Sequence, residues 1–372
     1  MINVVVFCSD SHFALGCVRC FGEAGFRPDV ICYGDESEFI LSSKYVRTGY
    51  HMSKEEGINF LLHDYPFNGE KSILCTIPDP PAVLVDTYLD ELKEKFYVSS
   101  AGDPGRVAYW MNKKNIGELA KKHGLTVPEI VEVQKGTPVP IDLQYPVFTK
   151  SSSSAQGGKG DEGICYSREE LSDKLAKSRD SRLLVMPYIQ KKREINYFGI
   201  SVGSHIYMDY IDINEHCPKD GLGHYNKFQL CVHDRMYDNI ISMLKETNYE
   251  GPFEVEFLED QYGTQHFMEI NFRMDGELYK LCEGVNLPAE LCRLFPMKDE
   301  ERPVCLDLKK EKFCGMSEFN YFTTCVLNGS TNFFVWLWQM LTADRLVYLN
   351  FKDLKPLFVF IKIRLKTKLR IT

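Results

Sequence analysis

What this 372-residue chain lacks narrows the field first. It has no basic excess: 44 Lys and Arg stand against 52 Asp and Glu, a net charge of −8, so nucleic acid and other polyanions are not expected partners. Long apolar runs are missing, and the uncharged stretch at 330–341 is too short to span a bilayer. The thirteen cysteines are odd in number and scattered, unlike a disulfide scaffold. The opening MINVVVFCSD has neither a basic n-region nor a long apolar h-region, so no signal peptide is expected and the cysteines read as reduced thiols of a cytoplasmic protein. Cys17 and Cys20 form a C-x-x-C, but no second pair completes a zinc site. Ala14, Cys17, Val18 and Phe21 recur at helical spacing, which makes Cys17 a packed helix-face residue. Gly16, Gly22 and Gly25 do not fit G-x-G-x-x-G, and a Walker A loop would need Gly at 153, where Ser stands. There is no internal repeat and no Ser/His/Asp or Cys/His pattern for nucleophilic catalysis.

What is present is most informative between Gly251 and Gly276, GPFEVEFLEDQYGTQHFMEINFRMDG. Two alternating runs around a polar turn at 259–264 predict a β-hairpin. Period-2 geometry places Glu254 and Glu256 on one face of the first strand, and Glu269, Asn271 and Arg273 on one face of the second. Met268, Ile270 and Phe272 line the other face. A turn centred near Tyr262-Gly263 sets Glu256 opposite Glu269. Two carboxylates about 5 Å apart repel by roughly 3 kcal/mol at an effective dielectric near 20, and a cation between them relieves this. Glu, Glu and Asn oxygens suit a hard ion such as Mg2+. The competing reading is a solvated polar face of a half-exposed sheet.

The length predicts two or three packed domains. Residues 2–8 read as a buried parallel strand, followed by a helix at 13–24 and a strand at 29–33, a βαβ start. Apolar segments recur at 73–76 and 82–85, and Asp103-Pro104-Gly105 closes this unit. A helix from Asn112 carries Ile116, Leu119, Ala120 and His123 on one face and stops at Gly124. A strand at 145–150 precedes SSSSAQGGKGDEG, Ser167 and Glu170 suggest a capping box for a helix to 177, and 183–189 is the next strand. Strands alternate over 196–213, and 234–246 is a helix with Met236, Ile240, Ile241 and Leu244 inward. From residue 350 on, seven bases oppose one acid, interleaved with bulky apolar residues. That tail reads either as a peripheral anchor for an anionic membrane or as an edge strand or helix packed on the acidic body.

Lys150 ends a strand before the Ser/Gly-rich loop, which taken alone reads as a plain flexible loop or as a place where backbone N–H groups and a lysine suit phosphate oxygens. The order decides the reading: Lys113 opening a helix, Lys150 before a glycine-rich loop, LLVMPYI, then the acidic hairpin. In these segments the chain resembles the ATP-grasp superfamily, in particular carboxylate–amine ligases with the module of carbamoyl-phosphate synthetase. NKKNIGELAKKHGLTVP, YPVFTKSSSSAQGGKG and GPFEVEF…FMEINFR carry the likeness over about 105–300. The resemblance implies an α/β architecture: a Rossmann-like domain (1–105), a two-lobed ATP-grasp domain (106–300, lobes 106–186 and 187–300) and a C-terminal extension (301–372). It implies that Lys113, Lys150, Ser153, Gly157 and Gly158 meet ATP phosphates. Backbone groups of Met186, Tyr188 and Ile189 would hold adenine, and Glu194 the ribose. Glu256, Glu269 and Asn271 would ligate Mg2+, with Mn2+ as an alternative, and Lys150 and Arg273 would stabilise the transferring phosphoryl group or acyl phosphate. Asn112 replaces the usual Asp, and Pro187 stands where Glu or Gln often meets the adenine amine. The implied activity is ADP-forming ligation of a small-molecule carboxylate to an amine. A thiol or hydroxyl acceptor, or an inactive nucleotide-binding scaffold, is the alternative. A basic loop at 214–227 (His216, Lys219, His224, Lys227) is an ordinary exposed loop or a cover for the acceptor.

Overall fold

The computed structural model describes residues 2–151, 161–214, 223–298 and 305–369. Five parallel strands open the chain: β1 (Val4–Ser9), β2 (Asp29–Tyr33), β3 (Gly49–His51), β4 (Ser72–Ile77) and β5 (Phe96–Val98), in the order β3-β2-β1-β4-β5. The apolar run VVVFC is fully buried, as a central parallel strand covered on both faces must be. Helix α1 (His12–Glu23) buries Ala14, Cys17, Val18 and Phe21, so the C-x-x-C belongs to a packed helix face. A short α2 (Glu38–Leu41) follows. The apolar segment 82–85 lies in a helix, α3 (Asp79–Thr87), whose Asp-Pro-Pro start suits a first helical turn. Strand order reverses between β1 and β4, so their carboxyl ends flank the crevice where open α/β sheets take ligands.

Asn112 caps α4 (Lys113–Lys122) by accepting from the Lys114 and Asn115 N–H groups at 3.0 and 3.4 Å. The next sheet is antiparallel: β6 (Val131–Gln134), β7 (Val147–Ser151), β8 (Gly163–Cys165) and β9 (Arg182–Pro187), ordered β6-β9-β7-β8. Ser167 caps the helix that backs it, α5 (Arg168–Lys177). Glu170 turns to the Tyr166 N–H instead of the Ser167 N–H, so the reciprocal half of the capping box is not made.

Seven strands form the largest sheet: β10 (Lys191–Val202), β11 (His205–Asn214), β12 (Tyr225–Leu230), β13 (Gly251–Asp260), β14 (Gln265–Asn271), β15 (Lys312–Met316) and β16 (Arg345–Leu346), ordered β14-β13-β10-β11-β12-β15-β16. Helix α6 (Arg235–Thr247) buries Ile240, Met243 and Leu244. Its stripe centres on Met243, which leaves Met236 and Ile241 half-buried rather than inward. The β13–β14 hairpin sets Glu256 opposite Glu269 and Glu254 opposite Asn271. A bulge between Glu256 and Phe257 pairs Phe257 with Phe267. The core line is therefore Phe272, Ile270 and Phe267, and Met268 is displaced from it as the extra residue.

The rest of the chain returns to both preceding units. Helices α7 (Phe333–Thr342) and α8 (Lys355–Leu369) follow β15 and β16 respectively. The basic tail is thus a helix, with Phe360 packed on Phe39 of α2 and on Phe319. Arg19 of α1, without exposed surface, donates to the Asp353 carboxylate at 3.0 Å and to the Val347 carbonyl at 2.5 Å.

Candidate active site

Two elements bring cations to the acidic hairpin. α4 lies along β14 and brings Lys113 into an ion pair with Glu269. Lys150, at the end of β7, stands beside Lys113 and also faces Glu269. Burial lowers the Lys150 ammonium, and Lys113 lowers it further against the pull of Glu269. Burial works against charge on Lys113 too, but Glu269 outweighs it and raises that ammonium. Two ammonium groups side by side and partly dehydrated make an anion site, the arrangement that phosphate oxygens need.

The acid side is unbalanced. Asn271 donates from Nδ2 to Glu256 at 2.6 Å and to Glu254 at 3.0 Å, while its Oδ1 accepts from Arg273 at 3.0 Å. Burial pushes the Glu256 carboxyl up to about 8, reinforced by Glu269, Asp275 and Glu194. Glu254 is raised by burial and by Asp275 and Glu256. Burial also opposes charge on Glu269, yet Lys113 and Lys150 hold it below the usual carboxylate range. Among the described residues no three His, Cys, Asp or Glu side chains gather as a metal site. A divalent ion here would be held by two carboxylates, completed by the Asn271 amide, substrate oxygens and water. The acids crowded around Glu256 fit such an ion, whose charge would favour the ionised carboxylate, and an Asn amide turns either end toward it.

Arg273 leaves the hairpin toward the first unit. It pairs with Asp79 at the carboxyl end of β4, and reaches Asp275 at 3.3 Å. Gly276 permits this approach, because a Cβ there would stand 2.3 Å from the Phe13 ring of α1. Beyond it, Lys280 is wholly buried and donates to Glu277, to the side-chain Oδ1 of Asn226 and, at 3.3 Å, to the Ser317 hydroxyl. Asp212 is equally buried and accepts from Asn226 at 2.5 Å and Asn214 at 2.7 Å. Sequence reasoning missed Asp79, Asp275, Glu277, Asp212 and Lys280. Only Asp79 had a signal, an acid in Pro-Asp-Pro-Pro after an apolar strand of a parallel sheet.

The remaining expected site residues divide. Met186 is buried at the end of β9, and Glu194 on β10 pairs with Lys191 at 2.9 Å. The Tyr188 N–H donates to the Pro146 carbonyl at 3.0 Å as the β7–β9 ladder runs out, so that of its expected backbone groups the donor is engaged. Ile189 follows, half-buried. Ser153, Gly157 and Gly158, and His216 and Lys219 of the basic loop, lie outside the described residues. His224 is buried against Thr324 at 2.8 Å rather than exposed.

An N5-carboxyaminoimidazole ribonucleotide synthetase solved with ADP superposes with a TM-score of 0.68 over 88% of this chain and 85% of its own, at 12% identity. This chain has the ATP-grasp fold. The same ATP-grasp fold relates it to an L-amino acid ligase from Bacillus licheniformis (TM-score 0.61, 14% identity, 81% of this chain and 78% of that one). It also relates it to the biotin carboxylase domain of Hydrogenobacter thermophilus 2-oxoglutarate carboxylase, solved with MgADP and bicarbonate (0.63, 17%, 84% and 74%). In sequence, the carbamoyl phosphate synthase large chain of Saccharolobus islandicus is 24% identical over 199 residues, 48% of this chain and 18% of that protein. Mitochondrial pyruvate carboxylase of Mus musculus is 24% identical over 188 residues, 44% and 16%. The chain thus spans less than a fifth of the length of these curated relatives. No protein-family model matches it.

Proposed function

We propose that this chain is an ATP- and Mg2+-dependent, ADP-forming ligase that activates a small-molecule carboxylate as an acyl phosphate and joins it to an amine. The observation that carries this reading is Glu256 facing Glu269 across one hairpin with Lys113 and Lys150 beside them. Paired cations for phosphate oxygens lie against paired carboxylates for a hard ion, within a fold whose solved examples include an amino acid ligase and complexes with ADP and MgADP.

A carboxylate oxygen attacks the γ-phosphorus, the bond to the β,γ-bridging oxygen breaks, and ADP leaves. The amine nitrogen then adds to the acyl carbon, the carbon–oxygen bond to phosphate breaks, and the nitrogen gives up its extra proton. Lys113 and Lys150, with Ser153, Gly157 and Gly158, hold the phosphates. Met186, Tyr188 and Ile189 border the base, and Glu194 takes the ribose. Glu256, Glu269 and Asn271 would hold Mg2+, or Mn2+ in its place, and the ion when bound neutralises phosphate charge. Arg273 presents a planar fork to the transferring group. The acceptor enters where residues 1–105 meet 106–300, beside Asp79 and Arg273. We place the protein in the cytoplasm, where ATP is available, with peripheral membrane contact through its basic tail.

Incubating the purified chain with ATP, Mg2+ and panels of amino acids and other carboxylates tests the reading. The expected products are ADP, phosphate and a new amide detected by mass spectrometry. An ester or thioester product moves the acceptor to a hydroxyl or thiol. ATP binding without ADP from any carboxylate sinks the ligase and leaves a nucleotide-binding scaffold.

A further inference from the structure

We infer that α7 inserts into the interface of an anionic membrane while the exposed side of α8 lies against the headgroups, a contact that rests on the tail reading above and not on the ligase chemistry. Helix α7, FFVWLWQMLT, is ten uncharged residues with no buried side chain. A surface helix normally turns its apolar stripe inward. Here Phe334, Trp338 and Leu341, at i, i+4 and i+7, are 74%, 68% and 70% exposed. A contiguous apolar stripe of that kind marks an interaction surface.

The helix is held in this attitude. On its other side the Trp336 indole N–H donates to the Glu318 carbonyl at 3.1 Å, and its ring packs on Phe322 with centroids 5.0 Å apart. At about 15 Å long, α7 reaches into one leaflet and stops. No helix among the described residues is long and apolar enough to cross.

Charge selects the occupant. The whole chain carries −8, yet residues 350–372 hold seven bases and one acid. α8 turns Phe360 inward and leaves Lys355, Phe358, Lys362, Leu365 and Lys366 exposed. These bases and apolar groups share one face at i, i+3, i+7, i+10 and i+11. Phe351, between the two helices, is 82% exposed. Aromatic rings with interleaved lysines match a bilayer interface bearing anionic headgroups. A second copy of this chain would instead set two basic tails and two acidic bodies against each other, which like charge opposes.

The test uses the full chain with vesicles of phosphatidylcholine alone and of phosphatidylcholine with phosphatidylserine, at low and high salt. Expected are co-sedimentation with the phosphatidylserine vesicles only, weakening with salt, and a blue shift of tryptophan emission. Combined Phe334→Ser and Trp338→Ser should abolish the blue shift and weaken binding about tenfold or more, following the apolar area lost. Lys362→Ala with Lys366→Ala should weaken it by about fivefold for each charge removed. Unfolding midpoints and ATP turnover without vesicles should match the parent for both variants. The parent remaining in the supernatant with both vesicles overturns the membrane contact. Undiminished binding of the Phe334→Ser/Trp338→Ser variant overturns insertion of α7 and leaves only the tail. A dimer in sedimentation velocity that this variant dissolves makes the face a contact between copies, and also overturns it.

Discussion

Glu269 has two kinds of neighbour: Lys113 pairs with it, and Glu256 faces it across the hairpin. Glu269→Ala removes a proposed metal ligand and leaves Lys113 and Lys150 to repel without their shared partner. Turnover should fall by on the order of 10²-fold or more, with the unfolding midpoint little changed because Glu269 sits at the rim of the cleft and not in the core; unchanged turnover refutes the metal assignment. Arg273 makes a different demand, on shape. Arg273→Lys keeps the charge but not the fork that meets Asp79 and Asn271. Its turnover should drop by on the order of 10²-fold, as when one preorganised donor is lost, with the KM for ATP held. Equal loss in kcat and ATP binding would show that Arg273 holds nucleotide instead. His12 supplies a pH effect away from the phosphates. Burial, with Lys280 and His224 nearby, lowers its imidazole to about 3, so the unfolded chain binds the proton first as pH falls. The stability it contributes is complete above the unfolded value near 6.5 and is lost below it, by roughly 2 kcal/mol at pH 5. His12→Gln should flatten the fall of the melting temperature between pH 7 and 5; an unchanged slope refutes this.

Among the elements, the last segment acts as a staple. Asp353 accepts from Arg19 of α1, from the Ser43 hydroxyl at 2.8 Å and from the Lys44 N–H at 3.0 Å, all close to α2. Removing its carboxylate leaves a buried guanidinium with backbone carbonyl acceptors but without its counter-charge. Asp353→Ala should therefore cost about 3–5 kcal/mol in urea unfolding, whereas a loss below 1 kcal/mol would mean that water reaches Arg19. No sequence pattern couples residues 334 apart, so this pair could not be read in advance. The hairpin could be: its strands alternate, its turn is short, and the facing of Glu256 and Glu269 follows from geometry within twenty residues. Lys113 was legible through the family resemblance, with Asn112 marking the helix start that it opens. The bulge at Met268 was not, since one extra residue leaves the alternation intact on either side. Nor were Asp79, Lys280 and Asp212 as site neighbours, because chain crossing alone brings them near Arg273 and the hairpin. The same limit explains Tyr188, whose backbone donor is claimed by a strand more than forty residues away.

At the scale of the molecule, the cores are unequal. One continuous core runs from β1 and α1 through β10 to Phe313 and Phe360, so the first sheet, the large sheet and α8 form one packed body. The sheet β6–β9 has a core of its own, with eight buried apolar side chains among the described residues, from Val133 to Val185. A lobe packed on so few groups opens at lower free energy than the body it stands on. Lys150 lies on that lobe and Lys113 with Glu269 on the body side, so a nucleotide bridging them ties the two together. Hydrogen exchange reads this directly. Amides of β6, β7 and β9 should exchange faster than those of β1 and β10 in the free protein. Mg2+ with ADP at about 100 times Kd should slow them by up to about 100-fold, a stabilisation of about 2.7 kcal/mol confined to openings that release nucleotide. Uniform exchange across the three sheets, or slowing that spares β6–β9, would mean that the lobes are not joined through the nucleotide. The two lysines would then need another anion to explain why they stand together.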